Sequence, residues 1–181
     1  MPTDARSNGS RRPLLFVDVD GVISVFGFAP DARPPGRAHT VAGTDHYIAE
    51  ATGGHLSRLA ERFELVWATG WEHAADEHLP DLLGLARGEM HTLVFGDLVA
   101  GGPADWKIGP IEEYAGDRPA AWIDDNLDER CERWAEERDA PTLLVPTYPG
   151  VGVSEEHVAT LLVWADELDV RRGRARTGVP R

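Results

Sequence analysis

At 181 residues the chain suits one domain that buries roughly 70% of its unfolded surface without staples. A single cysteine, Cys131, excludes an intrachain disulfide scaffold. No apolar run approaches the ~18 residues of a membrane span, so a cytoplasmic protein with no membrane partner is expected. Lys+Arg is 18 against Asp+Glu 31, a net charge of −13, which disfavours a nucleic-acid partner without ruling it out.

Residues 1–12 and 171–181 are polar, Arg-rich and aperiodic, and are expected to be disordered tails around a single domain over 13–170. Within that domain the first strand is Leu14–Val17. Residues 24–50 follow, rich in Gly and Pro with Phe26, Phe28, His39, His46 and Tyr47 among them, and show no clean period. A loop this long is either disordered or functional. Its start at a strand end favours a partly ordered flap. Leu56, Leu59, Ala60 and Phe63 then carry a helical period, and Leu65–Ala68 forms the second strand.

Helices near 73–83 and 105–115 bracket a third strand, Thr92–Phe95. The fourth strand is Ala120–Ile123. A helix with Leu127, Cys131, Trp134 and Ala135 on its apolar stripe comes next, then a fifth strand, Thr142–Val145. Val158, Leu161, Leu162, Ala165 and Leu168 repeat along a last helix behind the N-cap candidate Ser154. Short continuous apolar strands alternating with helices predict an α/β fold: a doubly wound, Rossmann-like parallel sheet of about five strands. In such sheets the ligand sits beyond the carboxyl ends of the strands.

Those ends carry the chemistry. The first strand runs into Asp18-Val19-Asp20-Gly21-Val22. Asp-Gly also makes plain polar turns. In a chain still extended, however, Asp18 and Asp20 project to one side, so one carboxylate can attack while the other handles a proton. The second strand ends in Thr69-Gly70-Trp71. Thr69 with Glu72 reads as a capping box, and a helix N-terminus beside a hydroxyl also cradles anions. The fourth strand ends in Asp124-Asp125-Asn126, again a cap candidate. Adjacent buried carboxylates repel unless a cation relieves them, and such oxygen ligands suit Mg²⁺. Lys107, the one lysine in the chain, lies between the third and fourth strands near a helix start. A solvated lysine there would add little stability. His73 and His78 miss the i, i+4 spacing of a zinc helix and read as surface residues. Cys131 reads as buried and structural.

In order and placement, Asp18-Val19-Asp20-Gly21-Val22, Thr69-Gly70, Lys107 and Asp124-Asp125 resemble the four signatures of haloacid-dehalogenase-like (HAD) phosphatases and phosphotransferases. The strings LVWATGWEH, AWIDDN and PTLLV are also similar to a HAD branch described in multidomain RNA-repair proteins. The resemblance implies that Asp18 is the nucleophile and forms an aspartyl-phosphate. Asp20 would be acid and then base, while Thr69, Gly70 and Lys107 would hold the phosphoryl group. Mg²⁺ would be bound by Asp18, the Asp20 carbonyl, Asp124 and Asp125.

Neither the stretch between Asp20 and Thr69 nor that between Thr69 and Lys107 is long enough for a full cap domain. A Mg²⁺-dependent phosphatase is therefore expected, acting on a small phosphomonoester or a phosphoprotein, with Trp71, Phe26 and Phe28 as substrate-contact candidates. One alternative is a nucleic-acid end phosphatase of RNA-repair type. A receiver-like phospho-acceptor module is another; receiver domains, however, place the phosphorylated Asp ahead of their Thr and Lys at a third strand end, where this chain has no Asp.

Overall fold

A computed structural model describes residues 12–96 and 102–177. In chain order its elements are β1 (Leu14–Val17), β2 (Ser24–Val25), β3 (Gly36–Val41), β4 (Thr44–Ala49), α1 (Thr52–Ala60), β5 (Glu64–Trp67) and α2 (His73–Leu83). They continue with β6 (His91–Thr92), α3 (Ile108–Ala115), β7 (Ala120–Asp124), α4 (Glu129–Glu137), β8 (Thr142–Pro146) and α5 (Glu155–Thr177). Five strands form one parallel sheet in the order β6-β5-β1-β7-β8. This is a doubly wound α/β fold. The chain leaves the central β1 to build β5 and β6 on one side, then crosses back to build β7 and β8 on the other.

The Leu-Leu-Phe-Val run of β1 is wholly buried because both faces of the sheet are covered. Alternation sends Leu15 and Val17 into a core with Leu56, Leu59, Leu79 and Leu161 of α1, α2 and α5. It sends Leu14 and Phe16 into a second core with Ile111 and Cys131 of α3 and α4. Cys131 is buried as expected, and burial pushes its thiol up to about 12, which makes it inert. In register, Val17 pairs with both Trp67 and Ile123, so the carboxyl ends of β1, β5 and β7 stand level. Among the described residues no helix is long and apolar enough to cross a membrane.

Several expectations are corrected. Residues 24–50 are not an irregular loop: β2, β4 and β3 form a three-stranded antiparallel sheet, with a 3-10 turn at Pro30–Ala32. Val41 and Ile48 are the buried residues of β3 and β4, so the strands lack the alternation that marks a half-buried sheet. Their two-residue turn uses Ala42 at φ 50° and Gly43 at φ 85°. Positive φ at both positions matches the right-handed twist of a hairpin.

The third strand is shorter than Thr92–Phe95. Pairing stops after Thr92, apart from a bond from Leu93 N–H to the Trp67 carbonyl, 3.0 Å, because the next amides are drawn to Glu72. The helix expected from Leu127 starts at Glu129, capped by Asp128, whose carboxylate accepts from the amides of Arg130 and Cys131. Asp124 and Asp125 are thereby released from capping.

The basic tail expected from 171 is helical through Thr177, since α5 continues. Arginine is a good helix former, and Arg171 and Arg172 lie 3.7 and 3.9 Å from Glu167 and Asp169 one turn back. At the other end Arg12 belongs to the fold, its guanidinium donating to the Ala60 carbonyl. The rest of both expected tails, 1–11 and 178–181, lies outside the described residues.

Candidate active site

Asp18 continues the ladder of β1 by donating its amide to the Ile123 carbonyl, 3.1 Å. The chain then turns sharply. The Val19 carbonyl accepts from the amides of Ile23 and Ser24, at 2.8 and 2.9 Å. Gly21 sits inside this turn at φ +73°, and a Cβ there would lie 2.3 Å from the Asp125 carboxyl carbon. Only glycine lets this turn and the Asp125 carboxylate share the space. The turn points Asp18 inward, 7% exposed, and leaves Asp20 exposed at the rim.

β5 delivers Thr69 and Gly70. The expected capping box does not form: α2 starts at His73, and the Glu72 side chain caps nothing in it. Thr69 Oγ1 instead accepts from the Trp71 amide, 3.3 Å. The Glu72 carboxylate reaches across to the amides of Phe95 and Gly96, at 2.7 and 3.1 Å. Glu72 holds φ 48°, outside the usual range for a residue with a side chain. Such a conformation costs on the order of 1–3 kcal/mol and persists only when its surroundings over-determine it. Here the two charge-assisted bonds to the β6 loop do so.

Lys107 ends a 3-10 turn, Ala104–Lys107, that leads into α3. It is 3% exposed, not solvated as a helix-start lysine would be. Its Nζ lies 2.9 Å from Asp18 Oδ1 and 2.7 Å from Asp124 Oδ2. The expectation that it matters little to stability is therefore wrong: breaking a buried pair leaves an uncompensated charge. Asp124 is fixed further by Trp122 Nε1, which donates to Oδ2 at 3.2 Å, and by the Asn126 amide, which donates to Oδ1 at 3.0 Å.

The electrostatics are those of excess negative charge. Burial raises the Asp18 carboxyl, Lys107 pulls it back and Asp124 adds to the rise, leaving it at about 7. Burial and then the Asp124 charge also raise Asp125. Burial opposes the charge on Lys107, but Asp18 and Asp124 outweigh it and hold the ammonium above its ordinary value.

Asp18, Asp124 and Asp125 can each offer an oxygen within 4.8 Å of the others'. One ammonium against three carboxylates leaves a charge deficit that a hard divalent cation would fill, so the donor set fits Mg²⁺. The Asp20 carboxylate is not part of this cluster. Among the described residues neither His73 nor His78 joins a metal-competent group.

Asp18, Asp20, Thr69, Gly70, Lys107, Asp124 and Asp125 thus line one cleft of about 440 Å³, with Trp71 on its wall. Phe26 and Phe28 lie elsewhere, along a neighbouring groove of the small sheet that meets the cleft at Asp20. Sequence reasoning missed Trp122, Asn126 and His46. Trp122 stands two residues before Asp124 on the same strand face, a signal that could have found it. His46 has no local signal, since its contact with Trp71 joins two separate elements. No protein-family model matches the chain, and no curated protein matches it.

Proposed function

We propose that this protein is a Mg²⁺-dependent phosphomonoester hydrolase of HAD type that works through an aspartyl-phosphate on Asp18. The observation that carries the reading is the buried lysine. Lys107 bridges Asp18 and Asp124 beneath a cleft that also holds Asp20, Thr69 and Gly70. With Asp18 Oδ1 held by the ammonium, the other oxygen is free to attack phosphorus. Lys107 and the Thr69 hydroxyl meet the phosphoryl oxygens as charge spreads over them. Asp20 passes its proton to the departing oxygen. It then takes a proton from the water that attacks the acyl phosphate, which regenerates Asp18 and releases inorganic phosphate. Asp18, Asp124 and Asp125 would hold Mg²⁺, which when bound supplies positive charge to the transferring group.

Asp20 in the same cleft favours turnover over a stable phospho-acceptor. The charge of −13 favours small phosphomonoesters or phosphoproteins over nucleic-acid ends. The test is incubation of the pure protein with Mg²⁺ and an aryl phosphate, followed by a quench and a search for hydroxylamine-labile phosphate. Phosphate on Asp18, lost with turnover in Asp18→Asn, is expected. Undiminished turnover in Asp18→Asn would refute the reading.

A further inference from the structure

Asp20 is the one acidic group of the cleft that stands outside the buried cluster, and a proton carrier on the rim needs its orientation set. The Trp71 indole Nε1–H donates to Asp20 Oδ2 at 2.9 Å. The Trp71 ring in turn meets His46 edge to face, with centroids 4.5 Å apart. His46 belongs to β4, and its Nδ1 shares a hydrogen bond of 3.0 Å with Ser24 Oγ. Ser24 is buried, and its main chain bridges back to Asp20 itself. Asp20, Trp71, His46 and Ser24 thus close a ring of contacts joining the first strand end, the second strand end and the small sheet. The backbone of Trp71 is pinned as well, by Thr69 Oγ1 before it and the anchored Glu72 after it.

We propose that Trp71 and His46 are positioning residues for proton transfer by Asp20. The inference rests on the phosphatase reading above and deepens it. An indole N–H can only donate, so the oxygen it meets must accept. A proton on the Asp20 carboxyl is then favoured on Oδ1, the oxygen the indole leaves uncovered. As the ester bond to phosphorus breaks, the departing oxygen takes that proton and Asp20 becomes the carboxylate, whose Oδ2 the indole continues to hold. His46 buttresses the indole from the small sheet, so the orientation of the Asp20 carboxyl depends on how that sheet is seated. Positioning of this kind lowers the barrier only when the leaving oxygen needs a proton in the transition state.

The experiment uses a graded series of aryl phosphates, from 4-nitrophenyl to unsubstituted phenyl to 4-methoxyphenyl, with kcat/KM measured for each. Trp71→Phe keeps an aromatic ring on the His46 side and removes the N–H together with part of the indole. Its kcat/KM is expected to fall more steeply as the leaving phenol becomes a poorer leaving group. The phenyl to 4-nitrophenyl ratio should drop roughly tenfold, less than the ~10²–10⁴-fold of a whole positioned acid because Asp20 itself remains. The ratio is internal to one preparation, so a partly unfolded fraction does not move it. His46→Ala should shift it in the same direction, and His46→Phe, which keeps the ring contact, should shift it less. In an Asp20→Ala background Trp71→Phe should leave the slope where it is, because a residue acting through Asp20 has nothing left to act on.

Parallel lines for wild type, Trp71→Phe and His46→Ala would overturn the proposal, as would a steeper slope that persists without Asp20. Should Trp71→Phe not fold, the two His46 variants decide the question by the same ratio. A wild-type protein that hydrolyses none of the esters would bring down the phosphatase reading and this inference together. Wild-type hydrolysis with unchanged slopes in the variants would bring down this inference alone.

Discussion

Removing the nucleophile candidate is expected to stabilise the metal-free protein while abolishing turnover. Asp18 is buried beside Asp124, and its carboxyl is pushed up to about 7 from an ordinary 3.8, with burial the largest cause. The unfolded chain releases this proton near the ordinary value and the folded chain near neutrality. Between those values the folded state holds more protons than the unfolded one, so stability falls as pH rises. The contribution is fully present below about pH 4 and is lost as pH passes through about 7. A displacement of about three pH units at ~1.4 kcal/mol each sets a ceiling of about 4 kcal/mol.

For a chain of this size that corresponds to roughly 8–16 °C in Tm, at ~2–4 °C per kcal/mol. Asp18→Asn removes the buried charge with little change in shape and leaves Lys107 an oxygen to bond. Thermal melts in chelator should place the variant above wild type at about pH 8, with the gap shrinking by more than half at about pH 5. Mg²⁺ at about pH 8 should close the gap from the other side, raising wild type far more than the variant. A variant less stable than wild type by the same margin at both pH values would refute the argument that Lys107 only partly compensates the buried charge of Asp18.

Four further outcomes follow from the same geometry. Hydrolysis of 4-nitrophenyl phosphate should vanish in excess chelator and return with Mg²⁺, a titration read directly from nitrophenolate release. Lys107→Met should lose roughly 3–5 kcal/mol of stability in denaturant melts, as breaking a buried ion pair does, and lose turnover with it; as the one lysine in the chain, Lys107 should also be shielded by vanadate from lysine-selective acylation, read by mass. Gly21→Ala would place a methyl 2.3 Å from the Asp125 carboxyl carbon at φ +73°, so Mg²⁺ affinity should fall by at least tenfold in calorimetry while the sheet survives by circular dichroism.

The parts of this protein legible from residues alone are the ones governed by near neighbours. Leu14–Val17 reads as a doubly buried strand because its own four side chains are all apolar. Asp18, Thr69 and Asp124 stand out because each stands at or just past a strand end, and the topology of a parallel sheet then gathers those ends. Tertiary structure decided the rest, where the partner is far along the chain. Glu72 reads locally as half of a capping box, yet its carboxylate serves Phe95 and Gly96, because two amides left without a ladder partner outcompete one helix end. Lys107 reads as a surface residue until the β1–β7 register sets Asp18 and Asp124 on either side of its ammonium. The sheet at 24–50 has no visible period because most of β3 and β4 is unburied, and its contact with the cleft, His46 against Trp71, joins residues far apart in the chain. Trp71 and Asp20 stand 51 residues apart, and only the level ends of β1 and β5 bring an indole N–H to that carboxylate.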